Sequence, residues 1–131
     1  MSVIGIGVDL VDIERFRRSL ERTPSMRTRL FTAVELAYVA AKADPVPSLA
    51  ARFAAREAVM KALGVGLGAF DFHDAWVERA ASGQPSLVLS GRAAVLAGEA
   101  GVARWHLSLT HSDATAAAYV IADGTPPRSP D

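Results

Sequence analysis

Glu57 and Lys61 lie four residues apart in the run Arg52-Phe53-Ala54-Ala55-Arg56-Glu57-Ala58-Val59-Met60-Lys61-Ala62-Leu63-Gly64. On a helix this spacing puts a carboxylate and an ammonium on one face, which they share with Ala50 and Ala54. The larger apolar residues Leu49, Phe53, Met60 and Leu63 fall on another arc. Alanines beside the charged pair would leave space for a bound group. The plainer alternative is an exposed helix-stabilising ion pair of about 0.2–0.5 kcal/mol. Asp9 also stands among small residues, at the end of Gly5-Ile6-Gly7-Val8-Asp9. Asp9 and Glu57 could together hold magnesium, which accepts a few carboxylates and completes its shell with water and phosphate. Asp9 could equally just end a strand, and spacing alone does not decide.

Three further patterns carry chemistry. Gly64-Val65-Gly66-Leu67-Gly68 follows a helix instead of joining a strand to a helix start, so neither a dinucleotide-binding nor a P-loop arrangement fits. It suits a helix C-cap and turn, and its backbone amides beside Lys61 could also approach a diphosphate closely. In Trp105-His106-Leu107-Ser108-Leu109-Thr110-His111, strand alternation sends His106, Ser108 and Thr110 one way and the other four residues the opposite way. The first set could bind phosphate oxygens or form a solvated sheet face. The two histidines face apart and make no joint metal site. Residues 12–29 hold six arginines against Asp12, Glu14 and Glu21, and Arg15, Arg18 and Arg22 align on the helix face opposite Ile13, Phe16 and Leu20. Such a stripe suits carboxylate or phosphate partners.

The elements that must position these residues come from one chain of 131 residues, half of them hydrophobic and 21% charged, with a mean hydropathy of +0.21. That composition excludes disorder and fits a single domain. We expect the domain over residues 1–123 and a flexible Gly/Pro-containing tail over 124–131. With no cysteine, disulfides, thiolate zinc sites and cysteine nucleophiles are excluded, and a reducing cytoplasmic setting fits. No leader pattern or membrane-length apolar run is present, so no membrane association is expected. Fourteen cations balance fourteen anions, which argues against nucleic-acid binding through overall charge.

Alternation predicts a strand over 3–10, with Ile4, Ile6, Val8 and Leu10 on one face and Val3, Gly5, Gly7 and Asp9 on a nearly bare second face. A helix over 12–22 follows. Thr32 and Glu35 form a capping box that opens a second helix, Pro45 to Ser48 breaks the chain, and a third helix runs over 49–63 to Gly64. Strands are expected over 75–79, 86–89, 104–111 and 115–122, with a helix over 91–100 and residues 112–114 closing an antiparallel hairpin. This order predicts an α+β fold with a small mixed or antiparallel sheet packed with helices.

Taken in order, Gly5 to Arg15, Arg52 to Gly64, Gly83-Gln84-Pro85 and His106 to His111 resemble the holo-[acyl-carrier-protein] synthase family, the small stand-alone 4′-phosphopantetheinyl transferases. The resemblance covers almost the whole chain. It implies the phosphopantetheinyl transferase fold and transfer of 4′-phosphopantetheine from coenzyme A to a serine of apo acyl carrier protein, releasing adenosine 3′,5′-bisphosphate. It implies Asp9 and Glu57 as magnesium ligands, with Glu57, Lys61 and His106 as catalytic residues. Coenzyme A would be bound by Arg52, Arg56, Lys61, Gly64, Gly66, Gly83, Gln84, Pro85, His106, Ser108 and Thr110. Arg15 matches a motif position, and Arg18 and Arg22 extend it by helical spacing into a docking stripe for the acidic carrier protein. Homotrimers with sites between subunits are a further implication. Arg56 departs from the lysine usual before the glutamate. The proton acceptor is open among Glu57, a metal-bound water and Asp113. The competing reading is a noncatalytic coenzyme A or nucleotide-binding module.

Overall fold

Glycine decides how the first strand packs. The computed structural model describes residues 1–128, and in it β1 (Ser2–Asp12) lies against helix α4 (Val46–Leu63) through its bare face. A Cβ built on Gly5 would overlap the carbonyl of Ala62, and one built on Gly7 would overlap that of Ala58. Strand and helix backbones therefore touch directly, an approach open only to glycine. Asp9 follows on the same face and is carried to the same helix. The opposite face, with Ile6, Val8 and Leu10, is exposed.

β1 is an edge of a three-stranded antiparallel sheet ordered β1-β5-β4, with β5 spanning Thr115–Gly124 and β4 Val102–His111. Gly7 pairs with Val120 and Val120 with Leu107, while Val8 pairs with Tyr119 and Tyr119 with Ser108. A second sheet pairs β2 (Ala75–Arg79) with β3 (Pro85–Leu89). Helices α1 (Ile13–Arg22), α2 (Met26–Leu30) and α3 (Ala33–Val39) lie between β1 and α4, and α5 (Gly91–Glu99) between β3 and β4. This is the expected α+β architecture.

α4 is the central element. Ala54, Ala58, Ala118 and Val120 share one core with Val77 and Ala93, while Leu49, Ala50 and Ala116 share the other with Ile13, Phe16, Leu20 and Phe31. The alanines beside the charged pair admit the sheet and leave no room for a ligand, since Ala50 and Ala54 are fully buried. Pro45 to Ser48 does not break the chain. Pro45 is the N-cap, and Val46, Pro47 and Ser48 form the first turn of α4, where proline's missing N–H costs no helical bond. α2 was not expected; five residues are too few for periodicity to reveal.

The ends follow local chemistry. Asp12 caps α1 by accepting from the Arg15 N–H at 2.8 Å, Thr32 and Glu35 make the expected reciprocal capping box, and Gly64 ends α4 with φ +70°. The Ser112 hydroxyl accepts from the Ala114 and Thr115 amides and closes the β4–β5 hairpin. Gly124, expected in the tail, is the buried last residue of β5, and Thr125 N–H donates to Gly101 at 3.0 Å. Residues 129–131 of that tail lie outside the described residues.

Candidate active site

Three groups of the expected residues occupy three separate places on the chain. The first is at the open edge of β1. Asp9 and Glu57, from strand and helix, line one cleft of about 330 Å³ together with Arg15, Phe16, Met26 and Phe53. Phe16 stacks on Phe53 at 5.4 Å and fixes α1 against α4 as one wall. Lys61 reaches across from α4 and donates to Asp9 Oδ1 at 3.1 Å and to the Val8 carbonyl at 3.0 Å. It pairs with Asp9, not with Glu57 as helical spacing alone proposed. Burial, and then the charge of Asp9, raise the Glu57 carboxyl above the usual range, while Lys61 partly offsets them. Asp9, Asp12 and Glu57 against Arg15 and Lys61 leave one excess negative charge.

The donor set suits a hard divalent cation that keeps open positions. Among the described residues no third histidine, aspartate or glutamate joins the cluster. Magnesium takes one or two carboxylates and fills its remaining positions with water and phosphate oxygens, so two ligands beside an open cleft fit it. Asp113 stays near this end of the molecule, because the hairpin tip is tied to α1 by the Ile13 N–H donating to the Ala114 carbonyl at 2.9 Å.

The second group lies on the other side of α4. Arg52 precedes Lys61 by nine residues, which is half a turn in azimuth and about 13 Å along the axis. It lines a cleft of about 370 Å³ with Tyr38, Val77 and Arg79. The Tyr38 ring has the Arg52 guanidinium at 4.6 Å, Lys42 at 5.3 Å and Arg79 at 5.6 Å. Arg52 is 1% exposed, donates to the Ser48 carbonyl at 3.2 Å, and its Nε has no partner among the described residues. Burial pulls its proton affinity down, Glu35 opposes that, and Arg79 and Arg56 add to the depression. The Gly83-Gln84-Pro85 turn adjoins this cleft, since Arg79 donates to the Gly83 carbonyl at 2.6 Å. Tyr38 and Arg79 escaped the sequence reading because they lie in separate elements and no linear motif joins them to Arg52.

Arg56 belongs to neither cleft, which corrects its expected contact with coenzyme A. Its guanidinium is 1% exposed and forked on Glu35, donating from Nη1 to Oε2 at 2.9 Å and from Nη2 to Oε1, while Nε donates to the Phe72 carbonyl at 2.8 Å. With four of its five N–H donors bonded inside the protein, the fourth to the Arg52 carbonyl at 3.3 Å, and only 1% of the residue exposed, it presents no open face to a ligand.

The third group is on the outer face of the large sheet. His106, Ser108 and Thr110 project there as alternation predicts, beside Tyr119 and Ile121, and His106 Nε2 lies 2.7 Å from Asp123 Oδ2. β4 is two strands from β1 and this face is the one opposite Asp9, so a single chain keeps His106 apart from Glu57, while Lys61 reaches round the edge of β1 and borders the same face at Tyr119. Gly64 and Gly66 lie beyond the Lys61 end of α4, with open space where a Cβ would stand. Arg15, Arg18 and Arg22 are exposed along α1, with Arg15 at the mouth of the acidic cleft, and none of the three pairs with a carboxylate among the described residues.

Comparison with known proteins yields consistent likenesses. Residues 5–122 match the family model described as the 4′-phosphopantetheinyl transferase superfamily. The chain is 48% identical over 125 residues to the holo-[acyl-carrier-protein] synthase of Streptomyces coelicolor, covering 95% of this chain and 100% of that one. Among solved structures it is similar to holo-[acyl-carrier-protein] synthase from Neisseria meningitidis, with a TM-score of 0.84, 32% identity and coverage of 92% and 98%. It is also similar to the Chronobacterium ammoniagenes synthase in complex with coenzyme A, with a TM-score of 0.83, 26% identity and coverage of 92% and 97%.

Proposed function

The chain belongs to the 4′-phosphopantetheinyl transferase superfamily, within its holo-[acyl-carrier-protein] synthases, and from that membership we propose the reaction it performs. It transfers 4′-phosphopantetheine from coenzyme A to the serine hydroxyl of an apo acyl carrier protein. The serine oxygen forms a bond to the phosphorus that carries pantetheine, the diphosphate bridge breaks, adenosine 3′,5′-bisphosphate leaves, and the serine proton passes to a base. The observation that carries this reading is the meeting of Asp9, Glu57 and Lys61 at the edge of β1.

Asp9 and Glu57 would hold a magnesium ion there, which when bound supplies charge neutralisation on the diphosphate. The remaining work falls to side chains. Lys61, bonded to the Asp9 carboxylate that lines the cleft and itself lining the adjoining hollow with Val8 and Tyr119, presents an ammonium to phosphate oxygen. Glu57 lines the same cleft and is placed to take the serine proton. Phe16, Met26 and Phe53 give the cleft an apolar wall that limits water.

Arg52 and Arg79 around Tyr38 suit the other phosphate-bearing end of coenzyme A, with Gly83, Gln84 and Pro85 beside the nucleotide. That cleft and the acidic cleft open on opposite sides of α4, and His106, Ser108 and Thr110 face a third way. One bound coenzyme A therefore takes its groups from neighbouring subunits, which is the reason for reading the protein as a homotrimer. Ile6, Val8, Leu10, Tyr119 and Ile121 form a continuous exposed apolar sheet face that suits such an interface. Arg15, Arg18 and Arg22 serve as the docking stripe for the acidic carrier protein. A cytoplasmic setting accompanies this reading, and no helix of the described residues is long and apolar enough to cross a membrane.

The test is release of adenosine 3′,5′-bisphosphate from coenzyme A. Release that requires both apo carrier protein and magnesium supports the transferase. Coenzyme A binding without release, with several apo carriers, points to the noncatalytic module.

A further inference from the structure

Arg52 and Arg56 lie one turn apart on α4, and the only buried carboxylate among the described residues is Glu35, 0% exposed. Two buried guanidiniums share one buried acid, and its allegiance sets which of them stays free. Arg56 holds it. The fork of Arg56 covers both Glu35 oxygens, its Nη1 also donates to the Arg52 carbonyl at 3.3 Å, and its Nε is fixed on Phe72. Glu35 further accepts from Thr32 N–H at 3.0 Å and from Val77 N–H at 3.1 Å, so α3, α4 and β2 meet on one carboxylate. Arg52 receives no bond from it.

Glu35 is nevertheless Arg52's near neighbour. Val77, whose amide it accepts, lines the Arg52 cleft, and the Glu35 charge is the chief influence that offsets the burial of Arg52. Freed from Arg56, this carboxylate would have one buried cation left to turn to. Its role in the capping box gave Glu35 a complete local explanation, which hides the second role from a sequence reading.

We propose that Arg56 is a positioning residue whose bidentate bond holds Glu35 away from Arg52, so that Arg52 stays a free buried cation for a phosphate in the cleft beside Tyr38 and Arg79. Arg56 itself touches no ligand. The inference rests on the phosphate reading of that cleft given above, and it adds an internal competition between a carboxylate and the ligand.

Calorimetric titration of the full chain with adenosine 3′,5′-bisphosphate tests it. Arg56→Met releases Glu35 and is expected to weaken binding about tenfold. Glu35→Gln keeps the shape, removes the competing charge, and is expected to bind at least as tightly as the unaltered chain. The double variant Arg56→Met with Glu35→Gln is expected to recover to within about threefold of it, a non-additivity that a scaffold role would not produce. Weakening by Glu35→Gln, or a double variant no tighter than Arg56→Met, overturns the proposal. If Arg56→Met does not fold, Glu35→Gln alone still decides, because loss of a structural strut predicts weaker binding and loss of a competitor does not. Arg52→Leu separates the premise from the inference. If it binds as tightly as the unaltered chain, no phosphate uses this cleft and the underlying reading fails whatever the pair does.

Discussion

Asp9 and Glu57 are charged groups that the fold brings together at some cost to itself, as the raised Glu57 carboxyl attests. A site kept at the expense of stability is expected to lose function sharply when either acid is removed and to lose little fold. Asp9→Ala and Glu57→Ala should each reduce phosphopantetheine transfer by about 100-fold or more while the melting temperature holds or rises. A variant that keeps full transfer at saturating magnesium would remove the metal assignment. Their residue types and small neighbours marked them in sequence as candidates, but spacing did not decide, and their pairing as metal ligands came from the family resemblance. Lys61 was legible as a participant, though its partner is Asp9 across the strand and not Glu57 along the helix. Arg56 was misread because charge in a motif says nothing of burial, and Glu35, the acid that claims it, lies 21 residues away.

At the scale of elements, the site depends on how closely β1 lies on α4. Gly7→Ala puts a methyl group into the Ala58 carbonyl, and backbone on both sides cannot yield. We expect a loss of about 3 kcal/mol, read in chemical denaturation, with transfer falling as α4 is pushed from Asp9. An unchanged midpoint would mean that the contact does not set the spacing. Helix α1 is moored by a different device. Arg17 donates to both oxygens of Asp44 at 2.9 and 2.8 Å and to Glu14 at 3.0 Å, so Asp44 titrates below the usual aspartate range. A depressed folded-state pKa stabilises above the unfolded-state value and loses that contribution as pH falls through the folded-state value. Asp44→Asn should therefore lower the melting temperature slightly at neutral pH, and the difference should vanish in strong acid and shrink with salt. A difference that persists in acid would assign it to packing. Strand and helix periods gave most of these elements, including β2 to the residue. The start of α4 was misplaced because a proline pair reads as a break, although a first helical turn accepts it.

For the whole molecule, the question is what covers the sheet face opposite α4. Ile6 is 64% exposed and Leu10 66%, on the strand whose other face is bare glycine. The usual direction of burial is reversed, with small residues inside and large ones outside, which is economical only if a second surface covers the large ones. Ile6→Glu, outside every cleft described, should lower the sedimentation mass from three times the 13.8 kDa chain to the chain itself and abolish transfer with it. An active monomer would contradict the shared site. No periodicity in one chain discloses a threefold axis, so the trimer rests on the family resemblance, and the exposed face supports only a second surface that covers it. The central claim is that the chain moves phosphopantetheine onto a carrier serine. The most direct measurement is the intact mass of an apo acyl carrier protein after incubation with the chain, coenzyme A and magnesium, beside metal-chelated and enzyme-free controls. The account predicts the gain of a single phosphopantetheine, confined to the complete mixture. An unchanged carrier mass across several apo carriers, with coenzyme A binding intact, would contradict it.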